Sequence, residues 1–250
     1  MTPRRAPRQP ATAGDAAGAA AAVRTLRFVT GNAGKVRELA AMAAPHGWQV
    51  LQDARGYPEV QAGSLEEVCA AGARHLLAEG LQPPFCLEDS GLFVPALRGF
   101  PGVYSRHALD TVGIDGLLRL LRDEPAGRRR ATFRTCLTLV EPARARQAGP
   151  PPGRSPQVVE AVPSGRSGLR GEAVPAPAVR VRHFRGACHG RIVPEPRGEA
   201  GFGFDPVFAP SRDAGGRTFA EMPAADKNAV SHRGQAVRRL LEHLAKAANP

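Results

Sequence analysis

The sequence predicts an α/β fold, and three observations carry this prediction. Residues 26–43 pass from a β-prone run through a glycine-containing turn into a helical repeat of apolar positions. A second helical repeat over residues 64–80 is followed by a short apolar strand at residues 85–87. Residues 129–140 and 179–193 alternate as strands do, which predicts that they pair as a hairpin.

The first β-prone run continues directly into the sequence GNAGK at residues 31–35. The helix predicted next ends near residue 47, and its apolar face consists of Val36, Leu39, Ala40 and Ala43. A strand, a tight turn and a helix in this order aim backbone N–H groups and the positive end of the helix dipole at an anion. Asn32 adds a donor and Lys35 a cation. The segment is typical of a phosphate site or of an ordinary strand-to-helix turn, and its spacing is not that of a Walker loop.

The second helix has a recognisable start. Residues 48–54 predict a second strand and residues 57–59 a loop, after which Ser64 is the expected N-cap. Glu67 stands three residues beyond Ser64, which is the spacing of a capping box. This spacing alone would explain a glutamate at position 67 as a helix-capping residue.

An acidic pair, Glu88-Asp89, follows the short strand at residues 85–87. Two adjacent carboxylates at the end of a buried strand are costly unless a cation or several donors meet them. Open α/β sheets bind their ligands at the carboxyl ends of strands. The pair therefore indicates a metal site, with a simple turn cap as the alternative.

Two further segments complete the coarse assignment. Residues 99–106 predict a tight loop that presents a hydroxyl and a cation, and residues 114–121 predict an amphipathic helix. Ser231 is the expected cap of a C-terminal helix, whose inward face consists of Val237, Leu240, Leu241 and Leu244.

The stretch GFGFDPVF at residues 201–208 alternates glycine with phenylalanine before Asp205-Pro206. Glycine lets a backbone approach a flat ligand, and an intervening ring can stack on it. The proline holds Asp205 in an extended conformation. Residues 227–233 then supply two cations, an amide, a hydroxyl and an imidazole. Together the two stretches suit a nucleotide, and a buried aromatic hairpin followed by a solvated helix start is the alternative.

The net charge of +11 is concentrated in two segments. Residues 1–24 carry +3 and residues 141–182 carry +4, which leaves +4 on the rest of the chain. Both segments are rich in Ala, Pro and Gly, and neither interleaves the aromatic residues that stack on bases. We therefore predict a disordered tail over residues 1–24 and a disordered insertion over residues 142–178 in a single domain of residues 25–245. This distribution argues against nucleic acid as the main partner.

The four cysteines lie far apart, at residues 69, 86, 136 and 188. This spacing predicts buried, reduced thiols in a cytoplasmic protein, without zinc or a disulfide framework. No apolar run is long enough to cross a membrane, so the sequence predicts no membrane partner.

Six motifs in this order resemble those of the inosine/xanthosine triphosphate pyrophosphatase family. They are TGNAGK at 30–35, EDSGL at 88–92, PGVYS at 101–105, GFGFDP at 201–206, TFAE at 218–221, and KN with SHRG at 227–234. YPE at 57–59 and LEEV at 65–68 look most like the archaeal branch. The resemblance implies an elongated α/β fold with a central mixed sheet and an active-site cleft between two lobes. It also implies Mg²⁺-dependent hydrolysis of ITP, dITP and XTP to the monophosphate and pyrophosphate by a homodimer.

The resemblance implies roles for individual residues as well. Glu67 and Asp89 would hold Mg²⁺, and Asp89 would also orient or deprotonate the attacking water. The triphosphate would be held by Thr30, Gly31, Asn32 and Lys35, of which Lys35 also has a catalytic role, with Ser90 and Gly91 beside it. Phe202 would stack on the purine, Asp205 would fix the base, and His232 and Arg233 would read its 6-keto edge. Gly203 and Phe204 would also bind the substrate, and Lys227 would serve phosphate or base. Donors from His232 and Arg233 would match the 6-keto edge of hypoxanthine or xanthine and leave adenine mispaired.

Two departures from the family pattern affect the metal assignment. The acidic pair is Glu88-Asp89 where Asp-Asp is commoner, which favours Asp89 as the ligand, and Val68-Cys69 follows Glu67 where many relatives have Asn-Ala. A catalytically inactive nucleotide sensor, or a nucleic-acid-associated factor, is the alternative function. A triphosphatase of similar fold with another base preference is a third.

Overall fold

The computed structural model describes residues 24–143 and 178–248, and its centre is one six-stranded sheet. The strand order is β2-β1-β3-β4-β5-β6. The strands are β1 (Arg24–Val29), β2 (Trp48–Asp53), β3 (Phe85–Phe93), β4 (Arg130–Pro142), β5 (Val179–Ile192) and β6 (Phe208–Pro210). β1 pairs in parallel with β2 and β3, and the remaining pairs are antiparallel. The predicted α/β class with a mixed central sheet is therefore confirmed.

Six α-helices accompany the sheet within the described ranges. They are α1 (Ala33–Ala43), α2 (Leu65–Ala78), α3 (Ser105–Thr111), α4 (Gly113–Leu120), α5 (Ala224–Val230) and α6 (His232–Ala248). The sequence predicts α1, α2, α4 and α6, because each repeats an apolar face over two turns or more. It does not predict α3 and α5, since seven residues are too few for that repeat to stand out.

The predicted helix starts are also found. The side chain of Ser64 accepts a hydrogen bond from the Glu67 N–H at the start of α2. The Ser231 hydroxyl likewise accepts from the Gly234 N–H at the start of α6. These side chains satisfy N–H groups that have no partner within the helix.

β3 is longer than predicted, and this changes the place of the acidic pair. The sequence predicts a strand that ends at residue 87, whereas β3 continues to Phe93. The reason is its neighbour β4, which pairs with β3 from Phe85 to Phe93, while parallel pairing with β1 involves only Cys86 and Leu87. Glu88 and Asp89 therefore lie within a strand and point to opposite faces of the sheet.

The hairpin predicted from residues 129–140 and 179–193 is confirmed as β4 and β5. Pairing continues past the strands, where the Ala143 N–H donates to the Ala178 carbonyl at 2.8 Å. Pro142, the first residue of the predicted insertion, is thus the last residue of β4, and Ala143 and Ala178 continue the hairpin. Arg24, assigned to the predicted tail, is the first residue of β1. The rest of the predicted tail and insertion, residues 1–23 and 144–177, lies outside the described residues.

Apolar residues pack on both faces of the sheet. On one face α1 and α6 pack around Phe28 and Leu139, and on the other α2 packs against Phe85 and Leu87. A third cluster, around Phe208, joins α4 to the β4–β6 end of the sheet. None of the helices within residues 24–143 and 178–248 combines the length and apolarity needed to span a membrane.

Candidate active site

A cleft of about 460 Å³ runs from the end of β1 to the segment before β6. Twelve of the fifteen residues that the sequence assigns to the site line this cleft. They are Thr30, Gly31, Asn32, Lys35, Asp89, Ser90, Phe202, Gly203, Phe204, Asp205, His232 and Arg233. The other three, Glu67, Gly91 and Lys227, are not among the lining residues. The structure thus brings together segments from the two ends of the described chain.

The start of α1 forms the phosphate end of the cleft. Asn32 is the N-cap, and its Oδ1 accepts hydrogen bonds from the Gly34 and Lys35 N–H groups at 2.9 and 3.2 Å. The Thr30 hydroxyl accepts from the Asn32 N–H in turn. Lys35 Nζ donates to the Glu88 carbonyl at 3.0 Å, which holds the ammonium over the middle of β3. A helix N-terminus and a fixed cation thus lie at one end of the cleft, as an anion site requires.

Glu88 is a buried partner of cations. Its carboxylate accepts from Arg233 Nε and Nη2 at 2.8 and 3.0 Å, and from the Thr135 hydroxyl at 2.6 Å. Burial alone would raise the pKa of Glu88, but the charges of Arg233 and Lys35 outweigh it and hold the pKa well below its ordinary value. Glu88 is therefore ionised and fully occupied by protein donors.

Asp89 has the opposite environment. Its Oδ1 accepts from the Ser90 N–H at 2.9 Å, whereas its Oδ2 is buried without a hydrogen-bond partner among the described residues. Burial raises the pKa of Asp89 to about 7, and the positive charge of Lys35, which acts in the opposite direction, does not cancel this rise. The negative charges of Glu59 and Glu88 add to it. A buried carboxylate oxygen with no donor is costly unless a ligand meets it. A cation in the cleft would be stabilised by binding to this oxygen.

Glu59 is a cleft residue that the sequence reasoning did not assign to the site. It lines the cleft beside Tyr57, and its charge contributes to the raised pKa of Asp89. The Tyr57 hydroxyl donates to the Glu88 carbonyl at 3.4 Å, which anchors the loop that carries Glu59 to β3. The acidic residue directly after proline in the YPE sequence was the feature that could have indicated Glu59 as a site residue.

The structure does not place Glu67 among the residues that line the cleft, so it does not bring Glu67 and Asp89 together there. Glu67 is exposed at the first turn of α2, and its Oε2 accepts from the Gly63 N–H at 3.1 Å. The physical reason is the local capping arrangement around Ser64, which holds this side chain at the helix start. Among the described residues no group of three or more His, Cys, Asp or Glu side chains could hold a metal ion. The available carboxylates in the cleft are those of Asp89 and Glu59.

Phe202 lies in the cleft against the start of α1. A Cβ placed on Gly34 would lie 2.6 Å from Phe202 Cδ1, so the absence of a side chain at Gly34 lets the ring rest on the start of α1. Lys227 Nζ lies 4.8 Å from the centre of the same ring. Asp205 holds the loop closed, because its Oδ2 accepts from the Phe202 N–H at 2.8 Å and from Lys227 Nζ at 2.6 Å.

His232 and Arg233 begin α6 at the back of the cleft. The His232 ring stacks on Phe133 at 4.8 Å, and its Nδ1 is buried without a partner in the described part of the chain. Burial, reinforced by the charge of Arg233, lowers the pKa of His232 well below its ordinary value, so the imidazole is neutral. One ring nitrogen of a neutral imidazole donates and the other accepts. His232 is thus a polar side chain that faces the cleft with unused hydrogen-bonding capacity.

Glu38 links α1 to the side chains of Lys227 and Arg233. No pattern in the sequence marks Glu38. It lies on α1 one turn after Lys35, and it accepts from Lys227 Nζ at 2.7 Å and from Arg233 Nη1 at 2.5 Å. Arg233 also donates to Glu88 and to the Ser90 hydroxyl, so four of its five N–H donors are used by protein groups. Arg233 can therefore offer a ligand at most one donor without breaking these contacts.

Two arginines supply further positive charge to the cleft, and both have exposed ion pairs. Arg55 is paired with Asp53 at 2.9 Å and Arg106 with Asp110 at 2.5 Å. The predicted loop over residues 99–106 presents Arg106 as expected. It does not present the Ser105 hydroxyl, which is buried, donates to the Gly102 carbonyl and accepts from the Leu92 N–H.

Gly91 has a packing role, and it is not among the residues that line the cleft. A Cβ at Gly91 would overlap the Gly102 carbonyl oxygen, and the Ser105 hydroxyl would lie only 3.2 Å away. We expect Gly91→Ala to destabilise the protein by about 1–3 kcal/mol, because backbone must move to admit the methyl group. Urea denaturation measures this change. Gly127→Ala is the control, since its Cβ would meet nothing within 4 Å, and equal effects of the two substitutions would contradict the assignment.

Comparison with protein families gives one consistent result. A model of the Ham1 family matches residues 26–156 and 173–243. The protein named dITP/XTP pyrophosphatase from Thermococcus kodakarensis is 40% identical over 219 residues, which are 88% of this chain and 96% of that protein. A protein of the same name from Methanopyrus kandleri is 39% identical over 215 residues, or 86% and 93% of the two chains.

Solved structures are similar along nearly the whole chain. The HAM1 protein from Coxiella burnetii has a TM-score of 0.61 and 26% identity, and the match covers 89% of this chain and 99% of that one. The Ham1 protein of Staphylococcus aureus has a TM-score of 0.62 and 23% identity, and the match covers 90% and 100%. The second likeness concerns the fold alone.

Proposed function

The chain belongs to the Ham1 family, and from this premise we propose that it is a nucleoside triphosphate diphosphatase for deaminated purine nucleotides. It hydrolyses ITP, dITP and XTP to the monophosphate and pyrophosphate, and thereby removes them from the nucleotide pool. The observation that carries this proposal is the unpartnered, buried Oδ2 of Asp89 in a cleft that also holds Lys35 and the start of α1. The cleft thus combines a phosphate site with a carboxylate that can accept a proton from water or bind a metal ion.

The residues at the phosphate end have distinct roles in this proposal. The start of α1 and the Lys35 ammonium bind and neutralise the triphosphate, whose cleavage needs charge stabilisation more than a covalent intermediate. Asp89 orients the attacking water and accepts its proton. Arg55 and Arg106 add charge at the rim of the cleft, where the leaving pyrophosphate departs.

We propose Mg²⁺ as the cofactor. The donor set fits, since Mg²⁺ prefers oxygen ligands and is usually bound by one or two carboxylates together with substrate phosphates. Asp89 and Glu59 would hold the ion, in place of the Glu67 and Asp89 pair that the sequence suggested. When bound, the ion would polarise the phosphate oxygens and lower the pKa of a coordinated water.

Base selection is assigned to Phe202 and His232. Phe202 offers a ring face to the purine, and neutral His232 offers the unused nitrogen described above. A donor at this nitrogen matches the 6-keto oxygen of hypoxanthine or xanthine. The 6-amino group of adenine is itself a donor and would leave a buried donor unpaired, which costs orders of magnitude in kcat/KM.

Product analysis tests the function. The full chain is incubated with Mg²⁺ and ITP, dITP, XTP, GTP or ATP in parallel, and the products are separated by ion-exchange chromatography. We expect monophosphate and pyrophosphate in equal amounts from ITP, dITP and XTP, with little turnover of ATP. Release of single phosphates would reject the diphosphatase reaction. Tight ITP binding without turnover would support a nucleotide sensor instead.

The revised metal assignment gives a separate prediction. We expect Glu59→Gln to raise the Mg²⁺ concentration needed for half-maximal activity by about tenfold or more, because a charged ligand becomes neutral. Glu67→Gln is the matched control and should leave that concentration unchanged. Mg²⁺ titrations of activity for the two variants and the unchanged protein measure both effects. The reverse order of effects would restore the original assignment of Glu67.

We also propose that the protein acts in the cytoplasm as a homodimer. Four free, buried cysteines support a reducing compartment. Within the described residues, four of the six most exposed large hydrophobic side chains fall between residues 100 and 120, which supports a self-association surface there. These four are Phe100, Tyr104, Val112 and Leu120. Multi-angle light scattering should give the mass of two chains, and the mass of one would reject the dimer.

A further inference from the structure

Two of the four cysteines lie in contact behind the cleft. Cys69 on α2 and Cys136 on β4 are both fully buried, and with Leu65 they form one small cluster. The Cys69 thiol donates to the backbone carbonyl of Cys136 at 3.2 Å. The Cys69 sulfur therefore lies beside Cys136, although 67 positions separate the two residues in the sequence.

A basic group accompanies this pair. Cys136 Sγ lies 3.5 Å from His183 Nδ1 and 3.6 Å from the Thr138 hydroxyl, and these two partners are 2.9 Å apart. An imidazole within reach of a thiol can take its proton, and the thiolate is the form of cysteine that reacts. The other two cysteines lack this arrangement, since Cys86 packs among apolar side chains and Cys188 makes one long contact with a carbonyl.

A surface cavity provides a route to the pair. It has a volume of about 350 Å³, and its lining includes Leu65, Phe93 and Arg185. Leu65 and Phe93 also pack against the two cysteines, so one layer of side chains separates the cavity from the sulfurs. A peroxide is little larger than water and needs only a small side-chain movement to pass this layer.

We propose that Cys69 and Cys136 are a peroxide-oxidisable dithiol, whose disulfide ties α2 to β4. Cys136 gives its proton to His183, and its sulfur attacks one oxygen of hydrogen peroxide. The O–O bond breaks, the displaced hydroxide takes the proton from His183 to leave as water, and Cys136 becomes a sulfenic acid. The Cys69 thiol then attacks this sulfur and its hydroxyl leaves as a second water. Two thiols lose two electrons in total, and the peroxide gains them.

The disulfide would restrain β4, which pairs with the strand that carries Asp89. Cys136 lies directly opposite Asp89 in the β3–β4 ladder. A covalent link from Cys136 to α2 would therefore restrain the segment that presents the Asp89 carboxylate. The proposal does not depend on the proposed function, because the formation of the bond can be measured without substrate.

Thiol mapping of the full chain tests the proposal. The native protein is treated with a small excess of hydrogen peroxide, then denatured, alkylated and digested for mass spectrometry. We expect the number of alkylated cysteines to fall from four to two, one cross-linked peptide pair containing Cys69 and Cys136, and recovery of all four after dithiothreitol. Cys69→Ala and Cys136→Ala should each abolish the cross-link, whereas the control Cys86→Ala should retain it.

Three results would overturn the proposal. These are four alkylated cysteines after peroxide, a disulfide that includes Cys86 or Cys188 or joins two chains, and an irreversible oxidation of Cys136 without a disulfide. The unchanged protein alone distinguishes these results from the expected one. The outcome therefore does not depend on how well the alanine variants fold.

Discussion

Asp89→Asn should remove nearly all activity and at the same time stabilise the metal-free protein. The loss of turnover should be on the order of 10²–10⁴-fold, because the amide cannot accept a proton and is a poor metal ligand. The gain in stability follows from burial, which raises the pKa of Asp89 from its ordinary 3.8 to about 7. An amide of the same shape has no charge to bury.

The effect of Asp89 on stability depends on pH. The folded protein holds the Asp89 proton more tightly than the unfolded chain does. The contribution of this proton to stability is therefore fully present below about pH 4 and is lost as the pH rises through 7. The amide introduced by Asp89→Asn does not titrate, so the variant should be equal to the unchanged protein at low pH and more stable by about 2–4 kcal/mol at pH 8.

Melting temperatures in EDTA from pH 4 to 8, together with ITP turnover in Mg²⁺, measure both effects. Asp123→Asn is the control, since Asp123 is exposed and far from the cleft in sequence. It should change neither activity nor the pH profile. A variant at Asp89 that keeps its activity, or that is less stable than the unchanged protein at pH 8, would contradict the assignment.

Arg233→Met should be the most destabilising substitution in the cleft. Arg233 is 3% exposed and is the shared partner of Glu88 and Glu38, so its removal leaves the buried Glu88 without its main cation and the half-buried Glu38 with Lys227 alone. Breaking such a pair costs about 3–5 kcal/mol. The substitution Arg233→Lys would restore the charge but not the planar set of donors, and should recover part of the loss.

The loss should also depend on pH. In the unchanged protein the charge of Arg233 holds the pKa of Glu88 below its ordinary 4.5, so this pair contributes stability above that pH. Without Arg233 the buried carboxyl prefers to be protonated, and the destabilisation should therefore grow from pH 4 to pH 8. Urea denaturation at both pH values tests this. Arg128→Met removes an exposed pair with Glu124 and should cost less than about 1 kcal/mol, and equal losses for the two variants would be inconsistent with a buried network.

Local patterns predicted the parts of the fold that depend on neighbours in sequence. The start of α1, the capping of α2 by Ser64 and the alternation of β4 and β5 all follow from residues a few positions apart. The length of β3 did not follow, because residues 88–93 are mostly polar or small and become a strand through pairing with β4. Pairing over long sequence distances overrides the local preference there.

The sequence motifs predict only part of the candidate site. The motifs identify Asp89, Lys35 and His232, but not the partners that fix their surroundings. Glu38 and Lys227 are separated by 189 positions, and no periodic pattern connects them. Glu67 is explained by its local contacts, since its N–H donates to the Ser64 hydroxyl and its Oε2 accepts from the Gly63 N–H. Its role as a metal ligand rests on the resemblance alone.

Helix α1 fixes the relative positions of several charged side chains in the cleft. The helix carries Lys35 at the phosphate end and, three residues later, Glu38, which fixes Lys227 and Arg233 at the base end. Three residues of helix rise by about 4.5 Å, and a helical turn hardly stretches. Lys35 and Glu38 are therefore held at a fixed separation along α1. In the proposed function, a shift of this helix would displace the phosphate-binding Lys35 together with Lys227 and Arg233.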